Sequence, residues 1–187
     1  DRGNLNADTR NEKQKELKNI CDEYRSGSGY YDCIVPWSGG KDSSYIAHRL
    51  KFEFKMKPLL VTFAPLIPTD VGYKNRENLV NLGFDHQYFR PNQKVSKLLS
   101  KRFFFERGDP KIHWNAGINS TPLRVSIEKK IPLIFYAEHG DSQYGGNPIN
   151  KESSKFKDLD EIYENLIGDD PRNWIDEIIT ENDIFPY

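Results

Sequence analysis

Continuous apolar runs alternate with amphipathic segments along the chain. The runs 30–36 (YYDCIVP), 58–63 (PLLVTF) and 131–136 (IPLIFY) are predicted strands, and 84–89 is a more polar one. Strands that are apolar along their whole length are typical of a parallel sheet buried on both faces. The pattern therefore predicts an α/β fold: a parallel twisted sheet with helices on both faces and right-handed crossovers.

Helices are predicted between these strands from the spacing of apolar residues and from end signals. The first covers 11–25, and the second starts at Ser43 or Ser44, after a tight loop. A third helix is expected to be capped by Asp70 and to stop at Gly83. The residues expected to be buried near its end are Leu79, Val80 and Leu82.

Two further helices are predicted in the second half of the chain. Apolar residues at helical spacing mark one over 95–103. Thr121 followed by Pro122 is a favourable helix start, because proline is tolerated at the first helical position. A helix starting there leaves His113 and Trp114 in the preceding loop.

Composition divides the chain into three parts. Residues 1–29 are a polar segment with the leading helix, 30–146 form the α/β domain, and 147–187 are predicted to be a helical extension. Short helices are expected in the extension at 158–167 and 171–179. The extension is expected to pack on the domain or on a partner.

The bulk composition excludes some classes of protein. With 27 basic and 28 acidic residues and a net charge of -1, bulk charge does not favour nucleic acid as a partner. No apolar run reaches the roughly 18 residues that span a bilayer, so no membrane role is expected. The two cysteines, Cys21 and Cys33, lie on apolar faces and are predicted core residues of a reducing, cytoplasmic compartment.

The segment Pro36-Trp-Ser-Gly-Gly-Lys-Asp-Ser-Ser44 joins the first strand to the next helix. Its glycines let backbone N–H groups approach a ligand, and the helix that follows adds its positive N-terminal end. Serine hydroxyls and a lysine complete an arrangement suited to a highly charged anion. The residues predicted to bind phosphate are Pro36, Trp37, Ser38, Gly39, Gly40, Lys41, Asp42, Ser43 and Ser44.

This loop is neither of the two most familiar nucleotide motifs. In G-x-x-x-x-G-K-[ST] the lysine precedes Ser or Thr, whereas Lys41 precedes Asp42, and G-x-G-x-x-G is absent. A carboxylate in a phosphate loop is unfavourable unless a cation offsets it. Asp42 is therefore predicted to share Mg²⁺ with the phosphates.

The order Ser38-Gly-Gly-Lys-Asp-Ser43 resembles the S-G-G-x-D-S loop of the PP-loop ATP pyrophosphatases. The resemblance implies that the loop holds the pyrophosphate part of ATP and that main chain at Phe63 and Ala64 holds adenine. It also implies that Asp141, in the stretch 137–143 (AEHGDSQ), binds Mg²⁺. Gly117 is assigned to close approach of the ribose.

Further segments resemble a narrower family, the N-acetyl sugar amidotransferases of surface-polysaccharide and flagellar-glycan pathways. They include 81–92 (NLGFDHQYFRPN), 113–118 (HWNAGI) and 167–174 (IGDDPRNW). The resemblance implies that ATP adenylates the oxygen of an acetamido group on a nucleotide-linked sugar and that ammonia from a separate glutaminase subunit displaces AMP. Lys41 and Asp42 would then be catalytic, with Glu138 or His139 as the base.

Two alternatives stay open at this point. One is a tRNA-modifying PP-loop enzyme of the lysidine-forming or thiolating type. The other is a domain that binds nucleotide without turnover. The sequence does not fix the oligomeric state, and a homo-oligomer is compatible with it.

Overall fold

The computed structural model describes residues 7–27, 29–137 and 169–187. The predicted helix at 158–167 lies outside these ranges, and the predicted domain boundaries stay predictions. The elements in chain order are α1 (Ala7–Glu23), β1 (Cys33–Pro36), α2 (Lys41–His48), a π-helical turn (Arg49–Glu53), β2 (Pro58–Phe63), α3 (Asp70–Asn81), β3 (Asp85–Phe89), α4 (Gln93–Arg107), α5 (Ile112–Lys129), a 3-10 turn (Pro171–Trp174) and α6 (Glu181–Ile184).

The three strands form one parallel sheet in the order β1-β2-β3. Cys33 pairs with Pro58 at the start of the first ladder, and Leu59 pairs with Asp85 at the start of the second. Helices α2, α3 and α4 each follow a strand. The predicted α/β class with a parallel sheet is confirmed.

The run 131–136 contributes less than the predicted strand. It joins the sheet beside β1 through a single parallel bridge between Ile34 and Ile134. Ile34 N–H donates to the Leu133 carbonyl at 2.9 Å, and Phe135 N–H donates back to the Ile34 carbonyl at 2.9 Å. Toward the start of the run the ladder stops, because Asp32 N–H donates to the Lys57 carbonyl at 2.9 Å instead of to the run.

Alternate strand residues face two different cores, as a sheet covered on both sides requires. On one face Val35 and Leu60 pack with Cys21 of α1 and Ala47 of α2. On the other face, Ile34, Leu59 and Val61 pack with Val125 of α5 and with Ile131. The helices thus cover both faces, which was the prediction.

A third core joins residues 169–187 to α4 and α5. Its members are Val95, Leu99, Phe103, Ile112, Ala116, Trp174, Ile179 and Ile184, with Tyr187 packed against them. Arg107 pairs with the buried Asp169 at 2.9 Å, and Asp169 accepts a hydrogen bond from Trp174 Nε1 at 2.8 Å. The segment therefore packs on the domain. Helical structure at 171–179 is limited to the turn Pro171–Trp174.

The end of α3 differs from the prediction. The helix is capped by Thr69, whose hydroxyl accepts from Gly72 N–H at 3.1 Å, rather than by Asp70. Val80 and Leu82 are 41% and 52% exposed, so they were wrongly predicted to be buried. No residue of this helix is buried, because it covers the sheet only at its margin. Its end near the predicted stop at Gly83 is confirmed.

Helix α5 also starts earlier than predicted. It runs over Ile112–Lys129, so Pro122 lies inside it, and His113 lies in its first turn rather than in a loop. A proline inside a helix costs about 3 kcal/mol. Burial of apolar side chains before and after the proline offsets this cost. The buried residues of the helix are Ile112, His113, Ala116, Gly117, Thr121, Pro122 and Val125.

Within the described ranges, no helix combines the length and apolar character needed to cross a membrane.

Candidate phosphate-binding loop

The loop between β1 and α2 lies at the carboxyl end of the parallel sheet, where such folds bind ligands. Trp37 is buried, and its N–H donates to the Val61 carbonyl at 2.8 Å, which ties the start of the loop to β2. Gly39 has φ of +84°, a conformation that glycine adopts without strain. Gly40 is extended and immediately precedes α2, so the helix begins at Lys41 and the prediction that it starts at Ser43 or Ser44 was wrong.

Two serines hold the loop from within. Ser43 is 3% exposed, and its hydroxyl lies 3.4 Å from Ser38 N–H and 3.3 Å from Ser38 Oγ. The Ser44 hydroxyl accepts from Trp37 Nε1 at 2.9 Å and donates to the Gly40 carbonyl at 2.7 Å. Both hydroxyls, which the sequence assigned to phosphate, therefore also brace the turn.

Side chains from outside the motif hold the rear of the loop. Asn75 of α3 donates from Nδ2 to the Gly39 carbonyl at 2.8 Å. Thr62 of β2 donates from Oγ1 to the Trp37 carbonyl at 2.5 Å, and His86 Nε2 lies 2.9 Å from the same hydroxyl. Sequence reasoning missed these three residues, because a polar residue on a partly exposed helix or strand carries no signal of what it contacts.

The backbone carbonyls and N–H groups of the loop differ in their hydrogen bonding. The carbonyls of Trp37, Gly39 and Gly40 all accept hydrogen bonds from protein donors. By contrast, no described residue accepts from the backbone N–H groups of Gly39, Lys41, Asp42 or Ser43. Unpaired N–H groups at the start of a helix carry partial positive charge. These four N–H groups are therefore available as hydrogen-bond donors, and we call them the donor surface of the loop.

Lys41 and Asp42 point into solvent beside this surface. Lys41 Nζ lies 2.6 and 2.8 Å from the two carboxylate oxygens of Asp42, and the side chains are 87% and 55% exposed. The described residues contain no group of three metal-ligating side chains. One carboxylate at a phosphate site nevertheless fits Mg²⁺, which commonly binds through one or two carboxylates plus substrate phosphates.

The residues assigned to adenine lie at the end of β2, and the one assigned to ribose lies in α5. Phe63 and Ala64 are buried, and Ala64 N–H already donates to the Phe89 carbonyl at 2.8 Å. Gly117 of α5 lies against the ring of Phe63, where an added Cβ would come within 2.3 Å of Cζ. Close helix–strand packing therefore explains this glycine, while its contact with ribose stays a prediction.

The remaining predicted site residues lie outside the described part of the chain. They are Glu138, His139 and Asp141. Their assignments as base and as metal ligand stay predictions.

Two histidines are kept neutral by their surroundings. Burial, with a smaller contribution from Arg76, lowers the pKa of His86 to about 4. Burial likewise lowers the pKa of His113 to about 4. His86 also meets the ring of Trp37 edge-on at 5.2 Å. A neutral imidazole behind the loop adds no charge that would compete with a bound anion.

A cavity of about 500 Å³ lies at the opposite edge of the sheet, where the strands begin. It is lined by Glu23–Ser26, Gly29–Asp32 and Lys129–Pro132. None of the predicted site residues lines it. The unpaired N–H groups of the loop lie instead at the other end of the sheet, where the strands finish, and outside this cavity.

No protein family profile and no curated protein matches the chain. Among solved structures, it is similar to the crystal structure of a predicted subunit of tRNA methyltransferase from Methanocaldococcus jannaschii, with 22% identity and a TM-score of 0.42. The alignment covers 72% of this chain but only 62% of the other, less than two thirds of its length. Such a likeness carries no argument about fold or function. The α/β assignment rests on the parallel sheet and its covering helices.

Proposed function

We propose that this chain binds ATP through the loop Ser38–Ser44 and splits it into AMP and pyrophosphate. The observation that supports this is the division of hydrogen bonding in the loop. The carbonyls of Trp37, Gly39 and Gly40 are paired with protein donors, whereas four N–H groups have no acceptor among the described residues. A triphosphate supplies acceptors for those groups and for the Lys41 ammonium.

The pyrophosphatase reaction follows from where charge develops. As the bond between the α-phosphorus and the bridging oxygen breaks, negative charge grows on the leaving pyrophosphate. N–H groups fixed in the loop stabilise that charge without reorganising, and Lys41 adds a full positive charge. Mg²⁺, held by Asp42 and the phosphates, would neutralise further charge on the phosphates. Lys41 must then exchange its contact with Asp42 for one with a phosphate oxygen.

The acceptor we propose first is an acetamido sugar linked to a nucleotide. Its amide oxygen attacks the α-phosphorus, and pyrophosphate leaves with the electron pair of the broken P–O bond. Ammonia then adds to the amide carbon, and AMP leaves carrying the former amide oxygen. After loss of a proton the product is an acetamidino group. The support for this acceptor is the sequence resemblance, which also suggests a glutaminase partner.

A tRNA acceptor is the second candidate. The similar solved structure is described as a predicted subunit of tRNA methyltransferase, although a TM-score of 0.42 does not decide between acceptors. Burial raises the pKa of the Cys21 thiol and raises that of Cys33 to about 12. Thiolation needs a reactive thiolate, so a reaction of the lysidine type, with an amine nucleophile, fits the chain better.

The test supplies the purified chain with ATP, Mg²⁺ and ammonium, together with either a panel of UDP-, GDP- and CMP-linked acetamido sugars or bulk tRNA with lysine. Pyrophosphate release is measured, and mass spectrometry identifies the product. Replacement of one sugar oxygen by NH supports the first candidate, and lysine attached to tRNA supports the second. ATP binding without turnover on either panel indicates a non-catalytic domain, and absence of ATP binding overturns the proposal.

A further inference from the structure

We infer that Asn75 is a positioning residue that keeps the phosphate loop in its anion-binding conformation. This inference rests on the proposed function. Asn75 belongs to α3, which follows the second strand, whereas the loop follows the first. Its Nδ2 donates to the Gly39 carbonyl at 2.8 Å and is the contact through which α3 holds the loop.

The contact acts on the peptide group that most needs to be held. The Gly39 carbonyl and the Gly40 nitrogen belong to one peptide plane, so fixing the oxygen fixes where that plane lies. Gly39 has a positive φ, and glycine has many other backbone conformations open to it. The Gly40 N–H of this plane donates to Ser38 Oγ at 3.2 Å, so turning the plane over would break both hydrogen bonds and displace the open N–H groups on either side, those of Gly39 and Lys41. The Asn75 amide opposes this by hydrogen-bonding the oxygen from the rear.

The first turns of α3 are themselves fixed against the loop. A Cβ added to Gly39 would lie 4.0 Å from the Gly72 carbonyl, so the helix backbone is close at that point. Thr69 caps the same turn by accepting from Gly72 N–H. Asn75 therefore projects from a capped helix that lies close to the loop, so part of the cost of ordering the loop is met before a ligand arrives.

Asparagine also suits this position because its side chain is uncharged. Its amide donates without adding a charge, so the attraction for phosphate is left to the N–H groups and Lys41. Aspartate at the same position would have the same shape but no donor, and its carboxylate would face both the Gly39 carbonyl and the bound anion. We therefore expect the aspartate variant to bind ATP more weakly than the alanine variant, an order that loss of packing alone does not predict.

The experiment compares Asn75→Asp, Asn75→Ala and Asn75→Gln in the full chain. ATP affinity is measured by titration calorimetry, and kcat and KM for pyrophosphate release are measured with whichever acceptor is active. We expect ATP affinity to fall most in Asn75→Asp, by about tenfold in Asn75→Ala, and least in Asn75→Gln, which keeps a donor. Gln93→Ala is the matched control, because Gln93 Nε2 also donates to a backbone carbonyl, that of Pro91 at 3.1 Å.

A second readout needs no nucleotide. The backbone ¹⁵N resonance of Gly40 reports on the peptide group shared with the Gly39 carbonyl, and we expect it to shift and broaden in Asn75→Ala but not in Gln93→Ala. Unchanged ATP affinity and an unchanged Gly40 resonance overturn the inference. Equal affinity losses in the aspartate and alanine variants also overturn it. Absence of ATP binding by the unmodified chain overturns the proposed function, and the Gly40 resonance then still reports whether Asn75 holds the loop.

Discussion

The candidate phosphate loop and the segment 169–187 both belong to the same α/β domain, but they differ in the exposure and hydrogen bonding of their polar groups. In the loop, Lys41 is 87% exposed and several N–H groups have no acceptor among the described residues. In the segment, Trp174 is 1% exposed and its indole N–H donates to buried Asp169. One region leaves backbone donors without a protein acceptor, and the other pairs its donors internally.

The difference indicates where substitutions should act. A region whose polar groups are paired and buried contributes mainly to the free energy of unfolding. A region that exposes unpaired donors contributes little to that free energy and much to ligand binding. Between the two regions lies Phe63, which follows the loop-bracing Thr62 in β2 and whose ring lies 5.7 Å from that of Tyr187. Variants in each region and at their junction can therefore test the separation.

The largest effect is expected from Trp174→Ala. Removing a buried indole that packs edge-on with Phe103 and hydrogen-bonds Asp169 should lower the free energy of unfolding by about 3–5 kcal/mol. Urea denaturation measures this, and Trp174→Phe, which keeps a ring, is the control with a smaller loss. ATP affinity of the folded fraction should not change. A loss below about 1 kcal/mol would show that the segment does not stabilise the domain.

The next effect is expected from Asp42→Ala, and it falls on activity. Loss of the carboxylate that we propose shares Mg²⁺ with the phosphates should slow pyrophosphate release about a hundredfold or more. Stability should change by about 0.5 kcal/mol or less, because the side chain is exposed. Asp22→Ala is a matched control, since Asp22 is also 55% exposed and also ion-paired, with Arg25. Normal turnover by Asp42→Ala would refute the metal assignment.

Gly117→Ala tests the junction of the two regions. The new methyl would overlap the Phe63 ring, so we expect a loss of about 1–3 kcal/mol in the free energy of unfolding. Gly27→Ala, where the methyl meets no atom within 4 Å, is the control. Adding Phe63→Leu should recover part of the loss. If ribose also contacts Gly117, ATP affinity of the folded fraction will fall as well, which separates the predicted role from packing alone.

The smallest effect is the pH dependence of stability from two histidines: half-buried His86, behind the loop, and buried His113, whose ring packs against Tyr187 of the segment. The pKa of His86 and of His113 in the folded chain is about 4, below the ordinary 6.5. The unfolded chain therefore binds protons first, and stability present above pH 6.5 is lost as pH falls toward 4. We expect a loss on the order of 1 kcal/mol per histidine by about pH 5.

Urea denaturation at several pH values in His86→Gln and His113→Gln measures this loss residue by residue. Each substitution should remove the contribution of that histidine to the pH dependence of the free energy of unfolding. If both variants keep the full slope, other groups account for the acid sensitivity. His48→Gln is the control, because His48 is exposed in the structure.

The sequence predicted the parallel sheet but overestimated two of its strands, since β1 begins at Cys33 rather than at residue 30 and the run 131–136 forms a single bridge. Strand β2 has the predicted bounds, and the loop joins a strand to a helix as its glycines indicated. Apolar runs and glycine motifs are local signals, so these features could be read directly. The early start of α5 depends on burial against Phe63 and the segment 169–187, which is not local. Contacts such as that of Asn75 with the loop likewise join residues far apart in the chain.

The two cysteines have a practical consequence for labelling experiments. Cys21 and Cys33 are buried, and burial raises the pKa of both thiols. Alkylating reagents react with thiolates, so both sulfurs should stay silent toward maleimide dyes in the native protein. An engineered cysteine at exposed Ser38 would then carry the fluorophore alone. Such a probe would report occupancy of the donor surface by fluorescence, without removal of either natural thiol.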